Sequence, residues 1–272
     1  MSVFEAVVCG MIQGATEFLP VSSSGHLALA HGLLGITDPA GNLAFDVMLH
    51  LATLFAVIVV YREELLRLIP AFFSMTGKLV RGRAKEFSGI ERLALMLVLA
   101  TLPLVLAVLI GDAAEAISES VRAVGIMLLL NGVMLLLGDR VGKRFRRAED
   151  IGIAGAVGTG LLQLAAVFPG LSRSGATITG GLIFGLERDE AVKFSFLLSI
   201  PAIIGANLKS AVTLYTSGAD QPLTLAHAAG MAAAAVTGFF ALRLIKLIAE
   251  RKSFGIFAYY CFAAGVLAVI LG

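Results

Sequence analysis

Charged residues disappear from this chain for long intervals. Residues 18–37, 93–111, 151–172, 222–242 and 253–272 contain no Asp, Glu, Lys or Arg, and several of these stretches approach the ~20 residues that a helix needs to cross a bilayer. Further apolar segments at about 40–61, 121–138 and 191–212 predict additional spans. Two of the uncharged stretches are interrupted by helix breakers: Leu19-Pro20-Val21 before Ser22 to Gly25, and Phe168-Pro169-Gly170 before Ser172 to Gly175. Proline and glycine end a helix, and serines favour the start of the next. Each is therefore predicted to be a broken pair of helices rather than one continuous span.

The two broken segments are copies of one another. Gly10, Gln13, Ala15, Phe18, Ser22, Ser24, Gly25 and Gly35 recur 150 residues later as Gly160, Gln163, Ala165, Phe168, Ser172, Ser174, Gly175 and Gly185. What recurs is mostly hydroxyl, amide and glycine, in a chain that is otherwise apolar. Polar groups held at membrane depth need partners or a function.

Composition fixes the setting. With 58% hydrophobic and 15% charged residues over 272 positions and a mean hydropathy of +0.92, the chain lies outside the range of soluble domains and reads as a single polytopic membrane domain, residues 1–272. Met1 to Gly10 has no basic leader or clear cleavage site, so the N-terminus is expected to belong to the fold. Cys9 and Cys261 stand alone in apolar segments and read as core residues, not as a disulfide or a zinc site. A net charge of +2 gives no reason to expect nucleic acid as a partner.

The positions of the charges predict a topology. Of 21 Lys and Arg, seven fall in 62–92, five in 139–150, two in 187–193 and four in 243–252, whereas 112–119 carries only Asp112, Glu115 and Glu119. Cytoplasmic loops collect positive charge, which puts the basic loops inside and the acidic one outside. Three crossings then separate the two copies, and an odd number inverts the second. The expected fold is all-α and integral to the membrane: an inverted-topology repeat with about six spanning helices and two re-entrant helical hairpins. Its halves are approximately 1–111 and 151–272, joined by 112–150. Broken hairpins entering from opposite faces would meet near the midplane, as in inverted-repeat transporters. Once the four basic loops are set aside, Arg122, Lys209 and Arg173 remain, and only Arg173 sits in a broken segment. Glu17 and Asp46 stand out among the acids for the same reason.

The first hairpin places Gln13 and Glu17 four apart on one helix face. After Pro20 come Ser22, Ser23, Ser24, Gly25 and His26, which offer hydroxyls and backbone N–H groups at a helix start, a favourable anion site. His26 follows within a turn and is able to serve as base, acid or nucleophile. The second hairpin repeats this construction with Ser172, Ser174, Gly175 and Thr177, but Arg173 replaces Ser23 and nothing matches Glu17 or His26. One copy supplies acid, base and nucleophile, and the other supplies a guanidinium fork suited to phosphoryl oxygens.

The run Gln13 to His26 resembles the (E/Q)xxxE motif and serine-rich stretch of the bacterial undecaprenyl-diphosphate phosphatases, the bacitracin-resistance family. Pro169 to Thr177 resembles that family's PGxSRSxxT motif, and the resemblance extends along essentially the whole chain. It implies a multi-pass enzyme of the bacterial cytoplasmic (inner) membrane that removes the terminal phosphate from undecaprenyl diphosphate, recycling the lipid carrier of cell-wall synthesis. Glu17, Ser23, His26 and Arg173 fall at the family's catalytic positions, with either Ser23 or His26 as nucleophile. Gln13, Ser22, Ser24, Gly25, Ser172, Ser174, Gly175 and Thr177 are expected to contact phosphate. A divalent cation, Mg2+ or Ca2+, is expected to assist, with Glu17 as its ligand. Gln13 stands where some members carry Glu, which leaves one carboxylate fewer for a hard cation. The expected partners are a polyprenyl diphosphate lipid, the surrounding membrane lipids and a second copy of the chain.

Other readings remain open at this level. Inverted hairpins also suit a transporter or flippase that moves a phosphorylated polyprenyl lipid without hydrolysis. Asp46 and His50, four apart on one span, read as structural groups or as groups around the site, and His31 and His227 as structural or interfacial. The series Gly152, Gly155, Gly158 and Gly160 follows no strand, so it reads as helix packing rather than a nucleotide loop. The basic run Lys143, Arg144, Arg146 and Arg147 reads as an orientation signal against anionic headgroups.

Overall fold

A computed structural model describes residues 1–34, 39–141, 145–216, 224–251 and 254–272. Twelve α-helices organise the described chain: α1 Val3–Phe18, α2 Ser23–Leu34, α3 Pro39–Val60, α4 Arg62–Val80, α5 Gly89–Thr101, α6 Gly111–Ser118, α7 Val121–Val141, α8 Ile153–Ala165, α9 Arg173–Ile183, α10 Arg188–Thr216, α11 Leu225–Arg251 and α12 Gly255–Leu271. A 3₁₀ segment, Leu102–Leu109, prolongs α5. Among the described residues no strand forms beyond an isolated bridge between Arg146 and Leu186.

Among the described residues, five helical stretches are long and apolar enough to cross a membrane: Leu43–Val60, Gly89–Leu109, Val121–Val141, Arg188–Thr216 and Leu225–Glu250. They match five of the six expected spans. The sixth, at 253–272, corresponds to α12, a shorter apolar helix of 17 residues.

The basic stretch 62–92, read from the sequence as a loop, is largely helix α4. Leu68, Ala71 and Met75 are buried on one side of α4, while Leu66, Ile69 and Phe73 are exposed on the other. Lys78 Nζ lies 2.8 Å from Glu91 Oε2 and ties α4 to the start of α5, where Ser88 and Glu91 form a capping box. An amphipathic helix with charged ends satisfies both the charge count and the interspersed leucines and phenylalanines. Gly35, Lys143 and Arg144 lie outside the described residues.

The recurring residues do equivalent packing work in both copies. Helix α1 packs along α11, and α8 packs against α5. A Cβ at Gly10 would collide with the carbonyl oxygen of Gly230, and one at Gly160 with the carbonyl oxygen of Ala100. Repeat-related glycines thus let α1 and α8 each approach a partner backbone closely, the small-residue packing of membrane helices. Gly155 and Gly158 abut Phe184 and Gly160 abuts Ala100, so three of the four glycines in the series pack closely, while Gly152 faces open space. The larger apolar core runs through Phe18, Tyr61, Leu135, Phe194 and Phe196, and a smaller one beneath α1 and α11 contains Cys9, Phe45 and Leu49. Cys9 and Cys261 are buried free thiols.

Candidate active site

Both breaks form where the sequence places them. Helix α1 ends at Phe18, with Leu19 extended (φ −70°, ψ 141°), and Ser22 takes φ +71°, a left-handed conformation that a serine adopts only when its surroundings hold it there. In the second hairpin this conformation falls on Gly170 (φ +99°). Each following helix is capped in the same way. Gly25 N–H donates to Ser22 Oγ (3.4 Å) and Gly175 N–H donates to Ser172 Oγ (3.1 Å), with Ser24 and Ser174 hydroxyls 3.4 and 3.0 Å from their respective caps.

The two tips lock together reciprocally. Gly170 N–H donates to Ser22 Oγ at 3.1 Å. A Cβ at Gly25 would lie 3.4 Å from Gly170, and one at Gly175 3.3 Å from Pro20, and Pro20 and Gly170 are themselves related by the 150-residue offset. Asn131 of α7 joins both breaks: its Nδ2 donates to the Pro20 carbonyl (2.9 Å), and its Oδ1 accepts from Ser172 N–H (3.0 Å). Asn131 was not singled out from the sequence, although it is the one amide within an otherwise apolar span.

Where the hairpins meet, a cavity of about 300 Å³ opens, lined by Glu17, Ser22, Ser23, Ser24, His50, Gln163, Ser172 and Arg173, with an apolar wall that includes Leu104 and Ile203. Glu17 is its centre. Gln13 Nε2 (3.0 Å) and Ser23 Oγ (2.6 Å) both donate to Glu17 Oε2. Arg173 Nη2 bonds the other oxygen, Oε1, and His50 Nε2 stands 3.7 Å from Oε2. The second guanidinium arm, Arg173 Nη1, is buried and has no hydrogen-bond partner, and neither does either amide atom of Gln163. Buried donors left unpaired in a protein are uncommon and call for an absent acceptor. Ser23 and Arg173 are also the first residues of α2 and α9, so two helix N-termini, with their partial positive charge, converge here.

The other expected site residues divide. Ser22 and Ser172 line the cavity while capping helices, and Ser24 lines it from inside α2 with its hydroxyl 3.4 Å from that of Ser22. Gly25 and Gly175 are packing points. Ser174 Oγ donates to the Leu19 carbonyl at 3.3 Å. Thr177 Oγ1 lies 2.5 Å from Ser195 Oγ of α10, away from the cavity. The structure does not bring His26 to Glu17: Nδ1 contacts the Ser22 carbonyl at 2.7 Å, and Nε2 contacts Tyr260 OH at 2.6 Å with the two rings stacked. The imidazole beside Glu17 is His50 instead, on α3. Gln163 was legible as the recurrence of Gln13, yet the sequence alone gave no reason to place it in the site. His31 pairs with Asp46 at 3.8 Å, and His227 Nδ1 lies 2.7 Å from Thr224 Oγ1.

Among the described residues no group of three His, Cys, Asp or Glu comes together as a metal cage. The donors that are present, one carboxylate and the buried, unpartnered Gln13 Oε1, fit a hard cation only if most of its ligands come from phosphate oxygens, which is a common arrangement for Mg2+.

A cavity of this kind, set among five apolar helices, defines a polytopic membrane protein that handles an anionic group. The family model of bacitracin resistance protein BacA matches residues 6–267. Relatives named undecaprenyl-diphosphatase share 44% identity over 272 residues in Rubrobacter xylanophilus (100% of this chain, 98% of the relative), 41% over 281 residues in Desulfosudis oleivorans (100% and 99%), and 37% over 275 residues in Methanobrevibacter smithii (98% and 96%). The chain belongs to the BacA family.

Proposed function

We propose that this protein is a multi-pass inner-membrane phosphatase that hydrolyses undecaprenyl diphosphate to undecaprenyl phosphate and inorganic phosphate, recycling the lipid carrier for cell-wall synthesis. The observation that carries the chemical reading is the pairing of a Ser23–Glu17 hydrogen bond of 2.6 Å with the unpartnered Arg173 Nη1 in one cavity. A hydroxyl held on a carboxylate is a nucleophile with its base attached. A buried guanidinium arm with nothing to bond is a place for a phosphoryl oxygen.

In this reading the terminal phosphate lies against Arg173 Nη1, Gln163 and the N-termini of α2 and α9. Ser23 Oγ attacks the terminal phosphorus, its proton passes to Glu17 Oε2, and the bond to the bridging oxygen breaks to release undecaprenyl phosphate. Water then attacks the phosphoserine, phosphate leaves, and Ser23 Oγ is reprotonated. Charge stabilisation dominates such transfers, and Arg173 supplies it on the chain's side. Arg173 and Glu17 nearly cancel one another, so the expected Mg2+ or Ca2+, held by Glu17, Gln13 Oε1 and diphosphate oxygens, would supply the missing positive charge. His26 acts at one remove in this scheme, fixing the Ser22 turn through its bond to the Ser22 carbonyl.

We infer the finer architecture on the same footing. Helix pairs α1–α2 and α8–α9 are re-entrant, α12 is the sixth span, and halves 1–111 and 151–272 are inverted about the joined tips. The reciprocal Gly25–Gly170 and Gly175–Pro20 contacts support this reading. A homodimer is retained from the family resemblance and is tested by light scattering in detergent.

Phosphate release from undecaprenyl diphosphate by the purified protein in detergent tests the function, because no membrane is present to cross. Release that depends on Ser23 is expected. Binding without release would favour lipid transport, a reading that the relatives' names do not support.

A further inference from the structure

The cavity at the hairpin tips accommodates a diphosphate and leaves the rest of the substrate, a long polyprenyl chain, without a place. We propose that the apolar groove between α4, α5 and α10 holds the isoprene units nearest the diphosphate, so that head and chain are gripped at two joined sites. The inference rests on the phosphatase reading, because a substrate with both parts needs both sites.

The groove has a volume of about 530 Å³ and is walled by Leu65 and Phe72 of α4, Leu97 and Val98 of α5, and Leu197 and Ile200 of α10. Among the described residues, no charged or amide side chain lines it. Its one hydroxyl is already engaged, because Thr101 Oγ1 donates to the Leu97 carbonyl at 2.7 Å. A site with no polar handle takes hydrocarbon. The groove also gives the outer face of α4 a role. Ile69, Phe72 and Phe73 are exposed, yet all three line the groove, so the side of α4 turned from the core is its outer wall.

What marks this groove for the substrate's own chain is that it continues the diphosphate cavity. The 3₁₀ segment after α5 contributes Leu102 and Val105 to the groove and Leu104 to the cavity. Residues three apart eclipse one another in a 3₁₀ helix, so Leu102 and Val105 share a side and Leu104 takes another. Helix α10 is divided in the same way: Ile200 and Pro201 line the groove, whereas Ala202 and Ile203 line the cavity. Arg173 and Ser23 engage the terminal phosphate, and Leu104, Ala202 and Ile203 offer the chain an apolar wall that leads into the groove. Val98 stands six residues before Leu104, roughly 9 Å of helix rise, so the groove meets the chain close to its head. Lipid is as apolar as these side chains, so the groove adds little transfer energy. Its contribution is position: a held chain fixes the diphosphate against Ser23, converting remote contacts into orientation.

The test is photolysis of the full-length protein in detergent with a polyprenyl diphosphate that carries a diazirine on its third isoprene unit. Label is expected within residues 65–73, 94–105 and 197–201, and excess undecaprenyl diphosphate should remove it. Val98→Trp fills the groove at a position already 37% exposed. It should suppress that label and lower kcat/KM for undecaprenyl diphosphate about tenfold, the scale of a changed apolar pocket. Hydrolysis of dimethylallyl diphosphate, whose single isoprene unit ends short of Val98, should be unaffected. Ile69→Trp, on the outer wall, repeats the measurement if the Val98 variant does not remain monodisperse. Label confined to other elements, an unchanged kcat/KM for undecaprenyl diphosphate, or equal loss on both substrates would overturn the groove assignment. A wild type that releases no phosphate overturns the phosphatase reading, whereas an active wild type labelled elsewhere overturns the groove alone.

Discussion

Replacing Arg173 with Lys keeps a positive charge beside Glu17 and removes the fork. In the structure one guanidinium arm bonds Glu17 Oε1 and the other, Nη1, is buried and unpaired. A lysine ammonium is a single point of charge on a flexible stem, so it pairs with Glu17 or reaches for phosphate but does not hold both in a fixed geometry. The loss is one charge-assisted hydrogen bond to the transferring group, about 1.5–3 kcal/mol. At about 1.36 kcal/mol per tenfold, kcat/KM should fall by roughly 10- to 150-fold. Arg173→Ala is a poorer probe, because removing one partner of a buried ion pair strands the other. The assay is phosphate release from undecaprenyl diphosphate across a range of substrate concentrations, with thermal unfolding in the same detergent as the control for folding. A Lys variant within about twofold of the wild type, equally stable, would refute the argument that the free arm holds phosphate.

Other consequences are equally direct. Ser23→Ala should reduce turnover by about a thousandfold or more while the protein stays monodisperse, as expected when a nucleophile is lost; substantial residual hydrolysis would exclude Ser23 as the attacking group. His26→Asn, whose amide N–H replaces Nδ1 towards the Ser22 carbonyl, should retain clearly more activity than His26→Ala, and equal loss in both would argue against a role through the Ser22 turn. Asn131→Leu should strand the Pro20 carbonyl and the Ser172 N–H, at about 1–3 kcal/mol for each buried unpaired group, and lower the unfolding temperature; an unshifted melt would mean that the hairpin tips do not depend on this amide. Gly160→Val should separate α8 from the Ala100 carbonyl of α5 and cost about 1–3 kcal/mol by overpacking, read by the same melt.

Much of this architecture is written in local pattern. The breaks at Pro20 and Gly170 and the serine caps follow from backbone chemistry that acts within a few residues, and the 150-residue recurrence exposes the two hairpins without any coordinates. Arg173 stood out because so few cations lie outside the loops, and it does meet Glu17. The sequence was misleading where direction around a helix decides the outcome. His26 follows three serines in the chain, yet one turn of α2 rotates it towards Tyr260. His50, 24 residues further on, is carried back to Glu17 by the packing of α3 against α1. Asn131 is not legible in the sequence because a single amide in an apolar span has no periodic signature. Its partners, Pro20 and Ser172, lie far from it in the chain and meet it only in three dimensions. Helix α4 is hidden by its basic residues, which mark a cytoplasmic loop, whereas the spacing of its apolar residues marks a helix face.

The central claim is that Ser23, held by Glu17, attacks the terminal phosphorus. Rapid acid and alkaline quenching of the protein during turnover of undecaprenyl diphosphate, followed by mapping of the labelled peptide, tests it most directly. The account predicts an acid-stable phosphoserine at Ser23; an acid-labile, alkali-stable phosphate on His26 would contradict it.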